Sequence, residues 1–419
     1  MNRLDENLLE ALLGKGNLRA AWKQVKTNDG AAGIDGMGVN EAEKHLRQHW
    51  EKIEAKLRAG TYQPAAVRAV EIPKPQGGVR VLGIPTVIDR VIQQAVGQVL
   101  TEIWEPHFSV HSYGFRPGRS AHDAVKAAQK YVLEGKEWVA DIDLKSFFDQ
   151  VDHDILMREL SRRVRDKRVL RLIGRYLRAP MARAGSETAR IKGTPQGGPL
   201  SPLLANIYLD LLDQELERRS VSFVRYADDI AIYASSPRAA KRILESVIEW
   251  LRKELKLEVN LEKSGSGPSD QSTLLGFRID REGEVGIAPK ALEKLQRMVR
   301  EKWNARQSKT SRELRDQWQR YIAGWWEYFR IATWLRDLTD LSGWIRRHMR
   351  KCFWQRWHNP IGRRHALEKL GIKGRGLQVA HSSHGAWRMA KNGHLHRALS
   401  NRVLQKYGFA LPWELVTPT

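Results

Sequence analysis

The sequence predicts two kinds of fold in one chain, a mixed α/β part up to about residue 288 and an all-helical part after it. β-rich arms at 67–85 and 222–234 and a short apolar run, Trp138 to Leu144, alternate with stretches of helical period. From Pro289 onward the pattern is helical almost throughout, broken at Gly324, Pro360 and Gly371–Gly376. Charge changes at the same place. Residues 291–419 hold 26 Lys and Arg against 9 Asp and Glu, while the first 290 residues hold 45 against 39.

Taken in order, residues 1–60 read as helical, with Asn17 or Asp29 as candidate caps. Val39 to Ala59 repeats its apolar positions near 3.6, which turns Trp50 and Leu57 inward. Between these helices lies GAAGIDGMG (30–38), a poor phosphate cradle because no Lys-Ser/Thr follows it. Residues 67–85 read as a hairpin around Pro75-Gln76-Gly77-Gly78, and Val87 to Val99 as a helix. Ser222 to Ala234 is a pair of β-rich arms around two aspartates. Leu244 to Leu255 is amphipathic; strand-like LEVNLE and the apolar run TLLGFRI (273–279) follow.

Composition excludes several classes. A single cysteine, Cys352, forbids an internal disulfide framework or a multi-cysteine zinc module. No apolar run approaches the roughly 18 residues of a membrane span, and MNRLDENLLEALLGKGN lacks an apolar signal core. A soluble, cytoplasmic protein with no membrane partner is the expectation. The formal charge is +23, and the 291–419 segment holds 10 of the 15 Trp and 7 of the 13 His. Such a basic, aromatic-rich yet non-repetitive segment reads as a folded surface for nucleic acid. After Leu341 the acids are Glu368 and Glu414, too few for a metal-dependent nuclease. His381, His384, His394 and His396 lack regular spacing or a nearby Cys, so zinc is not expected.

Three carboxylates stand out. Asp143 ends an apolar strand in VADIDLKSFFD, and Asp228 and Asp229 sit at the turn of FVRYADDIAIY. Adjacent charges between apolar arms are costly unless neutralised, and a divalent cation is the usual answer. A third carboxylate from another strand completes a site for two Mg²⁺ ions, with Mn²⁺ as a possible substitute.

Tyr-Ala-Asp-Asp (226–229) in a hairpin resembles the signature of reverse transcriptases, and further blocks occur in that family's order. EIPKPQGGVRVLGIP (71–85), SYGFRPGRSAHDA (112–124), DIDLKSFFD (141–149), GTPQGGPLSPLLANIYL (193–209), LEVNLEKS (257–264) and TLLGF (273–277) are similar to those of group II intron-encoded reverse transcriptases. GWWEYF (324–329), GWIRRHMRKCFWQRW (343–357) and GAWRMAKNGHLHRAL (385–399) resemble their thumb, or maturase, region. The resemblance covers about residues 10–400.

The resemblance implies a right-hand polymerase with α+β fingers and palm, an antiparallel palm sheet and a helical thumb. Its expected domains are a helical extension of the fingers (1–66), fingers and palm (67–288), a basic helical thumb or maturase domain (289–400) and a short tail (401–419). Asp143, Asp228 and Asp229 would be catalytic and hold the metals, Asp229 less directly, and a carbonyl of Ile142 or Leu144 could add a ligand. Lys74 and Arg80 would reach the incoming triphosphate. Phe147 falls where the family sets a bulky side chain against the sugar, selecting dNTPs. Gln196 would bond near the nucleotide or the template–primer minor groove, with Gly197 and Gly198 allowing close backbone approach. Tyr113, Arg116 and Arg119 could contact template or triphosphate, although Arg116 and Arg119 could equally pair with acids of the fingers. Tyr226 and Lys263 would lie along the template–primer. In the thumb, Arg346, Arg347, Arg350, Lys351, Arg356 and Arg388 are expected to bind RNA.

About 20 residues follow the last thumb block, without cysteine, so no endonuclease is expected and the chain resembles the compact, group IIC-like class. That class implies an RNA-directed DNA polymerase acting on an RNA template and a DNA primer, bound to its group II intron RNA as a ribonucleoprotein that assists splicing and enters a DNA target. Two alternatives stand beside it: a free-standing relative used by its host in DNA repair or phage defence, and an RNA-binding splicing factor without polymerase activity.

Overall fold

The computed structural model describes residues 7–73, 78–183 and 186–415. The chain divides into two compact units, Met1–Pro268 and Ser269–Thr419.

The first unit begins with helices α1 (Leu8–Leu13), α2 (Lys15–Asn28) and α3 (Val39–Arg58). Asn17 lies inside α2, and Asp29 ends it in a left-handed conformation instead of starting a helix. The N-terminus of α3 is closed by Glu41, whose carboxylate accepts from the Gly38 N–H at 3.0 Å. Strands β1 (Val67–Pro73) and β2 (Val79–Ile84) pair antiparallel, Ile72 opposite Arg80. The tip of this hairpin, including Lys74, lies outside the described residues. Helix α4 (Val87–Trp104) is capped by Thr86, and its buried face carries Val91, Ile92, Ala95 and Val96.

Helix α5 (Ala121–Leu133) precedes strand β3 (Trp138–Asp143), the single turn α6 (Phe147–Gln150), α7 (His153–Arg163) and α8 (Lys167–Arg178). Short strands β4 (Met181–Arg183) and β5 (Ser186–Thr188) extend the β1–β2 ribbon in the order β2-β1-β4-β5. Helix α9 (Ser201–Arg218) leads into the hairpin β6 (Ser222–Tyr226) and β7 (Asp229–Ala234), then α10 (Pro237–Glu254) and β8 (Gly265–Pro268). These give a second sheet, order β6-β7-β3-β8, with antiparallel neighbours throughout. Alternation along it buries Ile142, Ile230, Ile232 and Phe223 against the helices. LEVNLE does not form a strand. It touches β3's end through one bridge, Leu144 to Val259, and the next segment supplies β8.

In the second unit, the hairpin β9 (Phe277–Ile279) and β10 (Val285–Ile287) precedes helices α11 (Pro289–Lys302), α12 (Ser311–Phe329), α13 (Arg336–Arg356) and α14 (Pro360–Lys369). The expected fingers-and-palm region, 67–288, takes in this hairpin, which packs within the second unit. Thr333 bonds Val285 at both ends, its backbone N–H donating at 2.8 Å and its hydroxyl accepting at 3.0 Å. The Arg278 guanidinium stacks 4.2 Å over Trp334 and pairs with Asp337. Many of the tryptophans are core, with Trp303, Trp318 and Trp354 fully enclosed. Among the described residues, no helix is long and apolar enough to cross a membrane.

Candidate active site

The site is built on the centre of the second sheet. β3 and β7 run antiparallel with Asp143 directly opposite Asp229. β6 and β7 close around Ala227 and Asp228, with Tyr226 paired to Asp229. Two adjacent strands and one tight turn therefore bring three carboxylates together from two distant stretches of sequence.

The turn is strained. Ala227 adopts φ +58, a left-handed conformation that costs an L-residue roughly 1–2 kcal/mol. Its restraint comes from Arg225, two residues earlier, whose Nη1 donates to the Ala227 carbonyl at 3.0 Å. Arg225 is fully buried and so is its ion-pair partner Asp213 on α9, reached by Nε at 2.7 Å. Asn206 Oδ1 accepts a further bond from Nη1 at 2.9 Å, while the Asn206 amide donates to the Gly114 carbonyl at 2.8 Å. The 111–114 segment adds to the open edge of β6, since Arg225 N–H donates to His111 O and Tyr113 N–H to Arg225 O. Gly114 is required there: a Cβ would stand 2.3 Å from the Ala227 nitrogen.

Asp143 is held by its backbone. Its N–H donates to Ser264 Oγ at 2.9 Å and its carbonyl accepts from Asn260 N–H at 2.8 Å. Ile142 is buried in the same strand opposite Ile230, and Lys263 is exposed on the 260–264 turn.

Charge is crowded at this point. Burial pushes the Asp228 carboxyl above its ordinary range and Asp143 adds to the shift, while Arg80 and Arg225 oppose it. Asp229 is pushed up to about 6, first by the protein crowding out water and then by the charges of Asp228 and Asp143. That holds although the Asp229 side chain is itself exposed at the start of β7. Among the described residues no three Asp, Glu, His or Cys side chains form a ready-made ion cage. Three hard oxygen donors crowded together nevertheless fit divalent cations, which relieve the repulsion felt at Asp228 and Asp229.

Asp228 faces a cavity of about 510 Å³, also lined by Arg80, Leu82, Phe115, Phe148, Gln196 and Gly198. Arg80 Nε donates to Gln196 Oε1 at 2.5 Å, and the Gln196 carbonyl accepts from Gly83 N–H at 2.8 Å. At Gly197, φ is +132 and a Cβ would meet Gly83 O at 2.7 Å, so the loop lies directly on β2. Gly198 allows an equally close approach to Gln93, 2.5 Å from a hypothetical Cβ.

Two expectations for the first unit are corrected here. Phe147 is 2% exposed and packs beside Tyr208; Phe148 lines the cavity instead. After Ser146 the chain makes a helical turn, so successive rings point about 100° apart and one of them must face the core. Arg116 is buried with its donors spent on Glu105 and on the Ser109 and Ser112 carbonyls. It braces the loop that supports β6 and has no fork left for a triphosphate. Arg119 lies 5.3 Å over the half-buried Tyr113 ring and donates to Val110 O. Tyr226 is half-buried at the start of the turn.

The second unit corrects further expectations. Arg350 is 3% exposed, donates to Leu399 O and Asn401, and is held by burial at a pKa of about 10. Arg356 donates to the carbonyls of Gln307 and Lys309 and so closes a loop. Both are structural rather than free for RNA. Arg346 pairs with Glu414, and Arg347 stacks 3.8 Å over Trp387. Lys351 is partly exposed and Arg388 is exposed. Sequence reasoning missed Arg225, Asp213, Asn206, Phe115 and Phe148. An arginine inside the apolar arm FVRY was the one available signal, since a buried charge there demands a partner.

Breaking the Arg225–Asp213 pair strands a buried charge, which costs about 3–5 kcal/mol. Asp213→Asn should therefore lower the denaturation midpoint sharply, whereas Arg225→Met with Asp213→Leu should recover much of the loss; urea titration reads both. The double variant should still fail to bind divalent cations, because Ala227 loses its restraint. The carboxylates also set a pH dependence. The Asp229 carboxyl binds a proton more tightly folded than unfolded, so its contribution favours folding as pH falls through 6 and opposes it above 6. Mg²⁺ should raise the melting temperature strongly at pH 8 and little at pH 5, with Asp229→Asn narrowing the difference in thermal-shift measurements.

Comparison with known proteins agrees with this geometry. Residues 72–279 match the family model described as reverse transcriptase (RNA-dependent DNA polymerase), and residues 292–371 match the group II intron, maturase-specific domain. Protein YkfC of Escherichia coli (strain K12) is 33% identical over 288 residues, covering 59% of this chain and 76% of YkfC. The group II intron-encoded protein LtrA of Lactococcus lactis subsp. cremoris is 37% identical over 206 residues, covering 49% of this chain and 34% of LtrA. Nuclear intron maturase 1, mitochondrial, of Arabidopsis thaliana is 26% identical over 204 residues, covering 36% of this chain and 29% of that protein. The chain thus spans about a third of the length of LtrA. With both regions in order and a relative matched over three quarters of its length, the chain belongs to the group II intron-encoded reverse transcriptases, which join a maturase-specific domain to the polymerase.

Proposed function

We propose that the Asp228 cavity is the nucleotide-addition site of an RNA-directed DNA polymerase that extends a DNA primer on an RNA template. The observation that carries this is the register of Asp143 against Asp229, with Asp228 facing a cavity walled by Arg80 and Gln196. Asp143 and Asp228 hold two Mg²⁺ ions, which Mn²⁺ can replace, and Asp229 contributes charge from the neighbouring position. Bound there, the cations supply the Lewis acidity that makes a 3′-hydroxyl nucleophilic and offsets the charge of the triphosphate.

The chain's own residues do the rest. Arg80 presents its guanidinium to the triphosphate, and the bond to Gln196 aims it. Lys74, outside the described residues, would act from the same hairpin. Gln196 sits on a backbone pinned to β2, so its amide has a fixed place beside the nucleotide. Phe148 lines the cavity and would exclude a 2′-hydroxyl. The maturase-specific region supports binding of the group II intron RNA as a ribonucleoprotein that assists splicing and enters a DNA target. Arg388, Lys351 and Arg347 are the surface cations offered for that RNA.

Primer extension on an RNA template with Mg²⁺ tests the reading. Wild type should make long DNA and refuse NTPs, and Asp228→Asn should lose activity by about a thousandfold or more, some 4 kcal/mol of barrier. Phe148→Ala should admit NTPs at near-normal stability. Phe147→Ala should instead cost about 3–5 kcal/mol of stability and leave nucleotide choice unchanged.

A further inference from the structure

The β1–β2 ribbon has a second face with a cavity of its own. In the antiparallel register Ile72 lies opposite Arg80 and Glu71 opposite Val81, so alternate pairs point to opposite sides. Arg80 and Leu82 line the Asp228 cavity. Ala69 and Val81, on the other face, line a separate cavity of about 440 Å³ together with Arg183, Arg190, Lys192 and Asp149. Three cations thus meet one carboxylate there.

Arg190 is the unusual member. Both terminal nitrogens of its guanidinium are buried, and neither has a hydrogen-bond partner among the described residues. Arg183 is spoken for, being ion-paired with Glu71 across the ribbon. The buried guanidiniums Arg90, Arg116 and Arg225 of this unit each have at least one terminal nitrogen on a carbonyl or carboxylate oxygen. A charged planar fork with two unspent donors in a cavity wall is satisfied by an anion offering two oxygens, and a phosphate does so bidentately. The exposed Lys192 adds a point charge at the mouth.

We infer that this cavity binds a backbone phosphate of the template strand, at a nucleotide not yet paired. The inference rests on the polymerase reading. The two cavities lie on opposite faces of one ribbon, and Arg190 is connected to Gln196 through a loop pinned at Gly193, whose N–H donates to Val151 O at 2.7 Å. A strand entering the Asp228 cavity would pass the ribbon, and its phosphate at the second face would fix the approach of the next template base. The ligand chemistry is a phosphate in either case; free phosphate or pyrophosphate is the competing source.

Equilibrium binding of labelled primer–template, without nucleotide, separates these. Duplexes with a ten-nucleotide 5′ template overhang are compared with blunt ones for wild type, Arg190→Gln and Arg190→Lys. Arg190→Gln should weaken the overhang complex about five- to tenfold and reduce its salt slope by about one, leaving the blunt complex unchanged. Arg190→Lys should keep the slope and lose part of the affinity. An unchanged overhang affinity, or an equal loss on both duplexes, overturns the assignment. So does protection of wild type but not Arg190→Gln by inorganic phosphate or pyrophosphate in a melting assay, with overhang affinity intact. If Arg190→Gln melts several degrees low, Lys192→Gln on the exposed mouth replaces it, with the same overhang-specific loss expected and no loss overturning the inference. Failure of wild type to bind either duplex would instead count against the polymerase reading itself.

Discussion

Everything at the active site depends on one buried ion pair. Arg225 and Asp213 are both fully enclosed, so the protein bears the desolvation of two charges at the heart of a sheet. A pair of apolar side chains would pack there at less cost, but it could not restrain the turn. The guanidinium reaches Ala227 O and Asn206, and its own backbone holds the 111–114 segment, so one residue joins α9, β6, the Ala227–Asp228 turn and the supporting loop. Strain at Ala227 is tolerated because those contacts over-determine it. The result is a turn that offers Asp228 to the cavity without depending on a flexible loop.

From that fixed turn the remaining geometry follows by register. β7 sets Asp229 against Asp143, and β3 is clamped in turn by Asn260 and Ser264. Asp143 sits close enough to raise the proton affinity of Asp228 and Asp229, which is the electrostatic condition a divalent cation relieves. The opposite wall is built from different material: glycines 197 and 198 let backbone lie on backbone, so Gln196 and Arg80 meet as a unit. One wall is negative and the other positive, a complementarity that suits a triphosphate with its counter-ions.

Much of this was legible in the residues. Period-2 and period-3.6 patterns located the hairpins and most helices, and Tyr-Ala-Asp-Asp marked a turn whose two acids needed a third. What stayed hidden was which side chains turn inward. Phe147 and Phe148 are adjacent, and only the start of the helical turn after Ser146 decides which ring meets the cavity. Arg116, Arg350 and Arg356 look like any surface cation in sequence; the carbonyls that consume their donors come from loops that the fold alone brings near. A bound at 288 follows the change to helical pattern and the change in charge, which leaves the β9–β10 hairpin on the palm side. Its long-range bonds to Thr333 and Asp337 place it with the helices.

In the proposed reaction Asp143 and Asp228 jointly hold divalent cations beside the Arg80–Gln196 wall. Anomalous diffraction from crystals grown with Mn²⁺, a DNA primer on an RNA template and a non-hydrolysable dNTP tests it most directly. Two anomalous peaks should appear, both within coordination distance of Asp143 and Asp228 oxygens and on the triphosphate side of the cavity. Peaks elsewhere, or a nucleotide bound with no metal on either aspartate, would contradict the account.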